Sequence, residues 1–419
     1  MLLALLAAIA VAGVWTSSAG AQSPADGPGG PILVVVDPGD AFGTYYAEIL
    51  RAEGLNEFAV TSKASLSAAT LSSYQVVLLA QTSLTDAQAS LLDSWVQGGG
   101  NLIAMRPDPR LAGLLGLGAD TGINLSNGYI KIDTSSPPGA GITGQTMQFH
   151  NTADRWSGGD AATVATLYSG ADTATSSPAV TLRNVGTVGG QAAAFTYDLA
   201  RSVVGTRQGD LARAGQENDG APPIRSNDLF WPNDPWLDQS KVAIPQADEQ
   251  QRLLANLITQ VNLDRGPLPR FWYLPRGDKA AVVLTGDDHG YGNRGTQGQF
   301  DTYEQDSPPG CSVALWQCVR STSYVFPAAA STVNNALTPD EVQAYQAAGF
   351  EIALHLRVSG PNAGAQECND FTSLSGLNSD LTGQLAAFHS AWPGLDAPAT
   401  LRTHCIVWSD WASVPKAEL

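Results

Sequence analysis

Three short runs of uninterrupted apolar residues, each met by a helical pattern, constrain this chain more than any other feature of its sequence. Ile32-Leu33-Val34-Val35-Val36 stops at Asp37-Pro38-Gly39, Val76 to Ala80 follows, and Leu102-Ile103-Ala104-Met105 comes after Gly98-Gly99-Gly100. Strands that are apolar on both faces must be covered on both, which means a parallel sheet between layers of helix. The intervening segments supply those helices. Tyr45 to Ala52 is helical and stops at Gly54. Thr85-x-x-Gln88 forms a capping box, and Ala89, Leu92 and Val96 line one face behind it. The fold class expected is α/β.

The strand order and the turn Gly98-Gly99-Gly100-Asn101-Leu102-Ile103 resemble the class I glutamine-amidotransferase-like domains, over roughly Pro31 to Gly116. That resemblance implies a flavodoxin-like sheet. It also implies a cysteine nucleophile after a strand, but no cysteine precedes Cys311, so amidotransferase chemistry is excluded. A scaffold or glycan-contacting domain is the role that survives. From Thr121 to Asp198 the chain is rich in Gly, Ser and Thr with short alternating runs such as Ala192 to Tyr197, which predicts a β-rich insertion of strands and long loops. Arg201 to Trp236 is charged and aromatic, without assignable chemistry, and is expected to be a functional or a domain-covering loop. Leu253, Leu254, Leu257, Ile258 and Val261 then form one stripe on a helix from Asp248 to Val261, and Pro267 and Pro269 mark a boundary. The first domain is expected over 31–265 and a second over 270–419.

The formal charge of -17, from 22 basic against 39 acidic residues, excludes a nucleic-acid partner, because a phosphate backbone needs a Lys/Arg surface. Leu2 to Trp15 is apolar but short for a membrane span, and Ala19-Gly20-Ala21 offers small residues for cleavage. A signal peptide over 1–21 and a linker over 22–30 are expected, with a retained N-terminal anchor as the alternative, since no Lys or Arg precedes the apolar run. No later segment is expected to span a bilayer. The expected location is secreted, extracellular or periplasmic. Cys311, Cys318, Cys368 and Cys405 allow three pairings. Export favours Cys311–Cys318 and Cys368–Cys405 bridges; a zinc–thiolate site is the rival, without a C-x-x-C pair to support it.

The last region places chemistry at strand ends. Ala280 to Leu284 runs into Thr285-Gly286-Asp287-Asp288-His289-Gly290. A helix opened by Thr338-Pro339-Asp340-Glu341 and closed by Gly349 leads into Phe350 to Leu354, ending at His355. Thr400-Leu401 runs into Arg402-Thr403-His404-Cys405. Parallel strands bring such ends to one face. A divalent ion such as zinc takes carboxylate oxygen and imidazole nitrogen and leaves a position open in a catalytic site. An adjacent carboxylate can accept a proton beside it. Of the five histidines, His289, His355 and His404 follow strands, whereas His150 and His389 do not.

These residues resemble the polysaccharide deacetylases of carbohydrate esterase family 4, the NodB type, over a third of the chain. The family's Thr-Phe-Asp-Asp-Gly is matched by Thr285-Gly286-Asp287-Asp288-His289-Gly290, its Gly-x-Glu-Ile-x-x-His by Gly349-Phe350-Glu351-Ile352-Ala353-Leu354-His355, and its strand-end arginine by Arg402. The resemblance implies a distorted β/α barrel, with Asp287 as general base, Asp288 and His355 as ligands of a divalent metal, most simply Zn2+, and Arg402 orienting Asp287 or the substrate. The family's third ligand falls at Ser359, so His404 is expected to replace it, with His289 as the alternative. Its later catalytic histidine falls past Leu419, so the barrel is expected to be incomplete. The function implied is removal of acetyl groups from an extracellular polysaccharide. Two alternatives stand beside it. One is a non-catalytic carbohydrate-binding protein using Trp272, Tyr273, Trp316, Trp408 and Trp411. The other is a metal-dependent glycosidase, which needs a second carboxylate about 5–10 Å from the first.

Overall fold

The computed structural model describes residues 27–419 except 136, 231–235, 272–273, 279–280, 290–294, 328–336 and 360–367. The expected signal peptide, most of the linker, Trp272 and Tyr273 lie outside the described residues.

The first sheet grows from the apolar runs. Its elements are β1 (Ile32–Val36), α1 (Tyr45–Ala52), β2 (Phe58–Ser62), α2 (Ala68–Leu71), β3 (Val76–Leu79), α3 (Asp86–Gln97), β4 (Asn101–Met105) and α4 (Ala112–Leu115). Then come β5 (Asp120–Ser126), β6 (Tyr129–Ile132), β7 (Met147–Gln148), β8 (Thr152–Trp156), β9 (Ala162–Gly170), β10 (Thr173–Val185), β11 (Gly190–Phe195), α5 (Leu199–Gln208) and α6 (Gln246–Val261). The sheet order is β2-β1-β3-β4-β11-β10-β9-β6-β7. Pairing is parallel from β2 to β11 and antiparallel beyond it. The parallel part has the doubly wound order 2-1-3-4-5. Its period-two alternation separates two cores. Ile32, Val34 and Val36 face α1, α5 and α6, while Leu33 and Val35 face α3, with Leu92 and Val96 beneath them.

Ala192 to Tyr197, expected among the strands of the insertion, instead supplies β11, the fifth parallel strand. Its Ala192, Ala193, Ala194 and Phe195 are fully buried between the two helical layers. The insertion is therefore β5 to β10. The capping box on α3 forms as expected, with Thr85 and Gln88 bonding each other's backbone.

The second unit contains β12 (Thr285–Asp287), α7 (Gly295–Asp306), β13 (Thr322–Val325), α8 (Pro339–Ala347), β14 (Glu351–Leu356), α9 (Leu374–Ala391), β15 (Leu401–Thr403) and α10 (Ser413–Glu418). Its strands pair in the order β12-β13-β14-β15, all parallel. Among the described residues this is an open, curled half-barrel and not a closed barrel. Val325, Ile352, Leu354 and Leu356 face outward onto Phe300, Val342, Leu377 and Phe388 of the helices. The opposite, concave face is left for polar side chains.

The first strand of this unit is a correction to the expectation. Ala281 to Leu284 is not strand, and Val282 and Val283 are 82% and 83% exposed. The cause is registry: β13 begins at Thr322, opposite Thr285, so the residues upstream have no strand to pair with. His355 and Arg402 also lie within β14 and β15, not just past them.

The charged segment after α5 covers the second unit. Trp408 N–H donates to the Ile224 carbonyl at 2.9 Å, Ile224 N–H to Asp370 at 3.0 Å, and Arg225 Nε to the Cys405 carbonyl at 3.0 Å. Buried Asp228 holds that loop by accepting the N–H groups of Asn218, Asp219 and Arg225. The disulfides are Cys311–Cys318 and Cys368–Cys405, with Cα separations of 5.2 and 5.7 Å. No helix among the described residues is long and apolar enough to cross a membrane.

Candidate metal centre

The parallel strands deliver their carboxyl ends to one place. In register, Asp287 stands beside Tyr324, and Tyr324 beside Ala353; His355 stands beside Arg402. These rows form the concave face. The curl is strong enough that Arg402 on one edge strand brings a guanidinium nitrogen 3.2 Å from Asp287 Oδ1 on the other. Gly286, the middle residue of β12, lets α7 pack closely, because a Cβ there would lie 2.4 Å from the Gln299 side-chain amide, which would have to shift.

Asp288 is the hub. One oxygen, Oδ1, lies 3.3 Å from His355 Nδ1 and 3.3 Å from His289 Nδ1. The other accepts the Phe326 N–H at 3.0 Å, which fixes the carboxylate's rotation. Burial pushes its pKa up, but the contact with His355 and the Phe326 N–H outweigh burial and hold it below the usual carboxylate range. His355 is buried at 1% exposure, and its ring lies nearly parallel to those of Phe326 and His289, with centroids 4.3 and 5.3 Å away. Arg357 stacks its guanidinium over the Phe326 ring, 3.9 Å from its centroid.

Asp288, His289 and His355 each offer one ligand atom, and these atoms all lie within 4.8 Å of one another. His404 does not join this set. Its ring stands edge-on, 5.1 Å from His355 and 5.9 Å from His289, and its Nδ1 lies 3.5 Å from Cys405 Sγ. Burial first, then His355 and His289, lower its pKa to about 4, so it is neutral at neutral pH. Ser359, at the position of the family's third ligand, is bonded to Asp380. The His404–Cys368–Cys405 cluster offers no thiolate, because both cysteines are in a disulfide.

Asp287 sits on the other side of the imidazoles. Its oxygens are 3.9 Å from His289 Nε2 and 4.0 Å from His355 Nε2. Its Oδ1 is buried with no hydrogen-bond partner, so Arg402 is close enough for charge attraction without being aligned to donate. Two ligands of one zinc ion stand at most about 4.4 Å apart, twice the longest usual bond. The two Asp288–imidazole separations of 3.3 Å meet that limit, and the donor set of carboxylate oxygen and imidazole nitrogen suits a divalent ion.

A strand with no expectation from the sequence, β13, contributes Tyr324 and, directly past its end, Phe326. A signal for it exists in Ser321-Thr322-Ser323-Tyr324-Val325-Phe326, a β-favouring run that stops at Pro327. Of the aromatics considered for sugar stacking, Trp316 is 67% exposed, and Trp408 and Trp411 are half-buried beside β15.

No protein-family model matches the chain, and no curated protein matches it. Among solved structures, a β-galactosidase from Bacillus circulans sp. alkalophilus aligns with 57% of this chain and 32% of its own, at 14% identity and a TM-score of 0.37. An α-L-fucosidase isoenzyme 2 from Paenibacillus thiaminolyticus covers 56% and 33%, at 11% identity and 0.36. An exo-β-1,4-mannosidase from an Opitutaceae bacterium covers 43% and 33%, at 15% and 0.32. The chain thus spans about a third of the length of these proteins. At such scores they assign neither fold nor activity to it.

Proposed function

We propose that the second unit is a metal-dependent hydrolase of the polysaccharide-deacetylase type, acting on acetyl groups of an extracellular glycan. The observation that carries this reading is the convergence of Asp288, His289 and His355 within 4.8 Å, with a second carboxylate, Asp287, on their far side beside Arg402. Asp288, His289 and His355 would hold the ion; when bound, a divalent ion lowers the pKa of water from 15.7 to about 7 and polarises a carbonyl. The Phe326 N–H and the stacked Phe326 ring keep Asp288 and His355 oriented, the outer-shell role that tunes such ligands.

Asp287 accepts the proton of the attacking water. It is suited to this by partial exposure and by an oxygen without a hydrogen bond, with the Arg402 guanidinium 3.2 Å away. Neutral His404 packs against the ligands without supplying a charge. The two disulfides agree with a chain that folds in an oxidising compartment. The test is direct: the purified full chain should retain close to one equivalent of divalent metal and release acetate from an acetylated oligosaccharide. A chain that retains no metal and releases no acetate refutes the proposal and leaves a glycan-binding role.

A further inference from the structure

The first unit has a crevice of its own, far in sequence from Asp287 and built without it. The chain leaves β1 for β2 on one side and then returns to lay β3 on the other, so the loops after β1 and β3 part company. Open α/β sheets bind ligands at that switch point, outside the carboxyl ends of their strands. Here a cavity of about 510 Å3 opens there, lined by Asp37, Asp40, Gln81, Arg106, Asp154 and Arg201 among others. Its size falls within the roughly 300–1,000 Å3 of small-molecule sites.

The charges in this crevice are already neutralised by one another. Arg106 grips Asp154 through both Nε and a terminal nitrogen, at 2.8–3.1 Å. Arg201 bonds Asp40 at 2.7 Å and Asp198 at 3.1 Å, and Lys63 lies 2.6 Å from Asp37. Thr82 donates its hydroxyl to Asp37 at 3.1 Å. An ionic ligand would have to break one of these pairs. A hydroxyl group would not, because it both donates and accepts, and can use the free lone pairs of paired carboxylates and the spare N–H groups of paired guanidinium ions.

One group is left over. Gln81 Oε1, directly past β3, is buried and has no hydrogen-bond partner. A buried acceptor without a donor costs stability and calls for an explanation. Arg106 reaches its bidentate pair from a left-handed backbone, at φ 36°.

We propose that this crevice binds one unit of a neutral, hydroxyl-rich ligand, a monosaccharide or the terminal residue of a glycan, with a ligand hydroxyl donating to Gln81 Oε1. The site is separate from the metal centre and does not depend on it.

The test is calorimetric titration of the full chain with D-glucose, D-galactose and N-acetyl-D-glucosamine. At least one should bind saturably with 1:1 stoichiometry. Gln81→Leu keeps the approximate shape and removes the acceptor; it should weaken binding about tenfold or more, the worth of one lost hydrogen bond, without lowering the melting temperature of the free chain. Thr82→Val, which removes the neighbouring hydroxyl bonded to Asp37, is the second variant should Gln81→Leu not fold, and it should also weaken sugar binding. Asp288→Ala should leave the sugar affinity unchanged, which separates this site from the metal centre. Absence of binding by all three sugars overturns the proposal, as does binding that Gln81→Leu does not weaken or that Asp288→Ala abolishes. Stronger binding of inorganic phosphate or ammonium ion, lost in Gln81→Leu, overturns the neutral-ligand assignment.

Discussion

Replacing Asp287 and Asp288 one at a time distinguishes a base from a ligand, because their surroundings differ although they are adjacent. Asp287→Asn keeps the side-chain shape and removes the charge. Its ion pair with Arg402 is partly exposed on both sides, so its loss should cost about 0–1 kcal/mol of stability. In a domain of this size that shifts the melting temperature by no more than about 4 °C. The rate should fall far more. A positioned general base is worth about 10²–10⁴ in rate, or roughly 3–5 kcal/mol of barrier, and the bound metal should remain. Asp288→Ala should do the reverse. It removes the hub that both imidazoles contact and strands the buried Phe326 N–H, at about 1–3 kcal/mol. Metal should be lost, and activity with it. Elemental analysis after dialysis, acetate release and thermal melts on the two variants make the comparison. Should Asp287→Asn empty the metal site while Asp288→Ala leaves it filled, the roles are reversed, as the 3.9 and 4.0 Å approach of Asp287 to the imidazole Nε2 atoms would allow. Should both variants retain both metal and activity, the chemistry does not reside at this face.

Three further outcomes follow from the same coordinates. His289→Ala should lower metal affinity by more than about 100-fold, beyond the roughly 10–100-fold of outer-shell changes, whereas His404→Ala should stay within that range; equal losses by metal titration would make His404 a ligand. His150 is buried against Trp236, and burial lowers its pKa from 6.5 to about 4, so the unfolded chain takes up a proton that the folded chain refuses; stability should be full above about pH 6.5 and fall by on the order of 3 kcal/mol as pH drops to about 4, a slope that His150→Phe should flatten in denaturant titrations at several pH values. Thr338→Ala removes the capping box of α8, the helix that feeds β14 and His355, and should cost about 1 kcal/mol by chemical denaturation, with Thr338→Ser restoring most of it.

The sequence displayed what is local and hid what is not. β1, β3 and β4 were legible because two-sided burial demands unbroken apolar runs, and both capping boxes were legible because the partners lie three residues apart. β13 was not, since half of it is polar: Thr322 and Ser323 are buried only because Glu351 and Thr296, on other elements, bond their hydroxyls. The place of β11 is not legible either, since nothing near it in sequence shows that the chain returns to pair with β4 after the insertion's strands. The same division runs through the candidate site. That Asp287, Asp288, His355 and Arg402 meet follows from parallel strands ending together. The choice between His289 and His404 does not, for it turns on where Cys405 is tethered: its bond to Cys368 sets the sulfur beside the His404 imidazole, while His289 is free to turn Nδ1 onto Asp288. The crevice of the first unit is the extreme case, because Arg106 finds Asp154 across 48 residues and Arg201 finds Asp40 across 161. Only the folded sheet brings those charges together and leaves Gln81 among them without a donor.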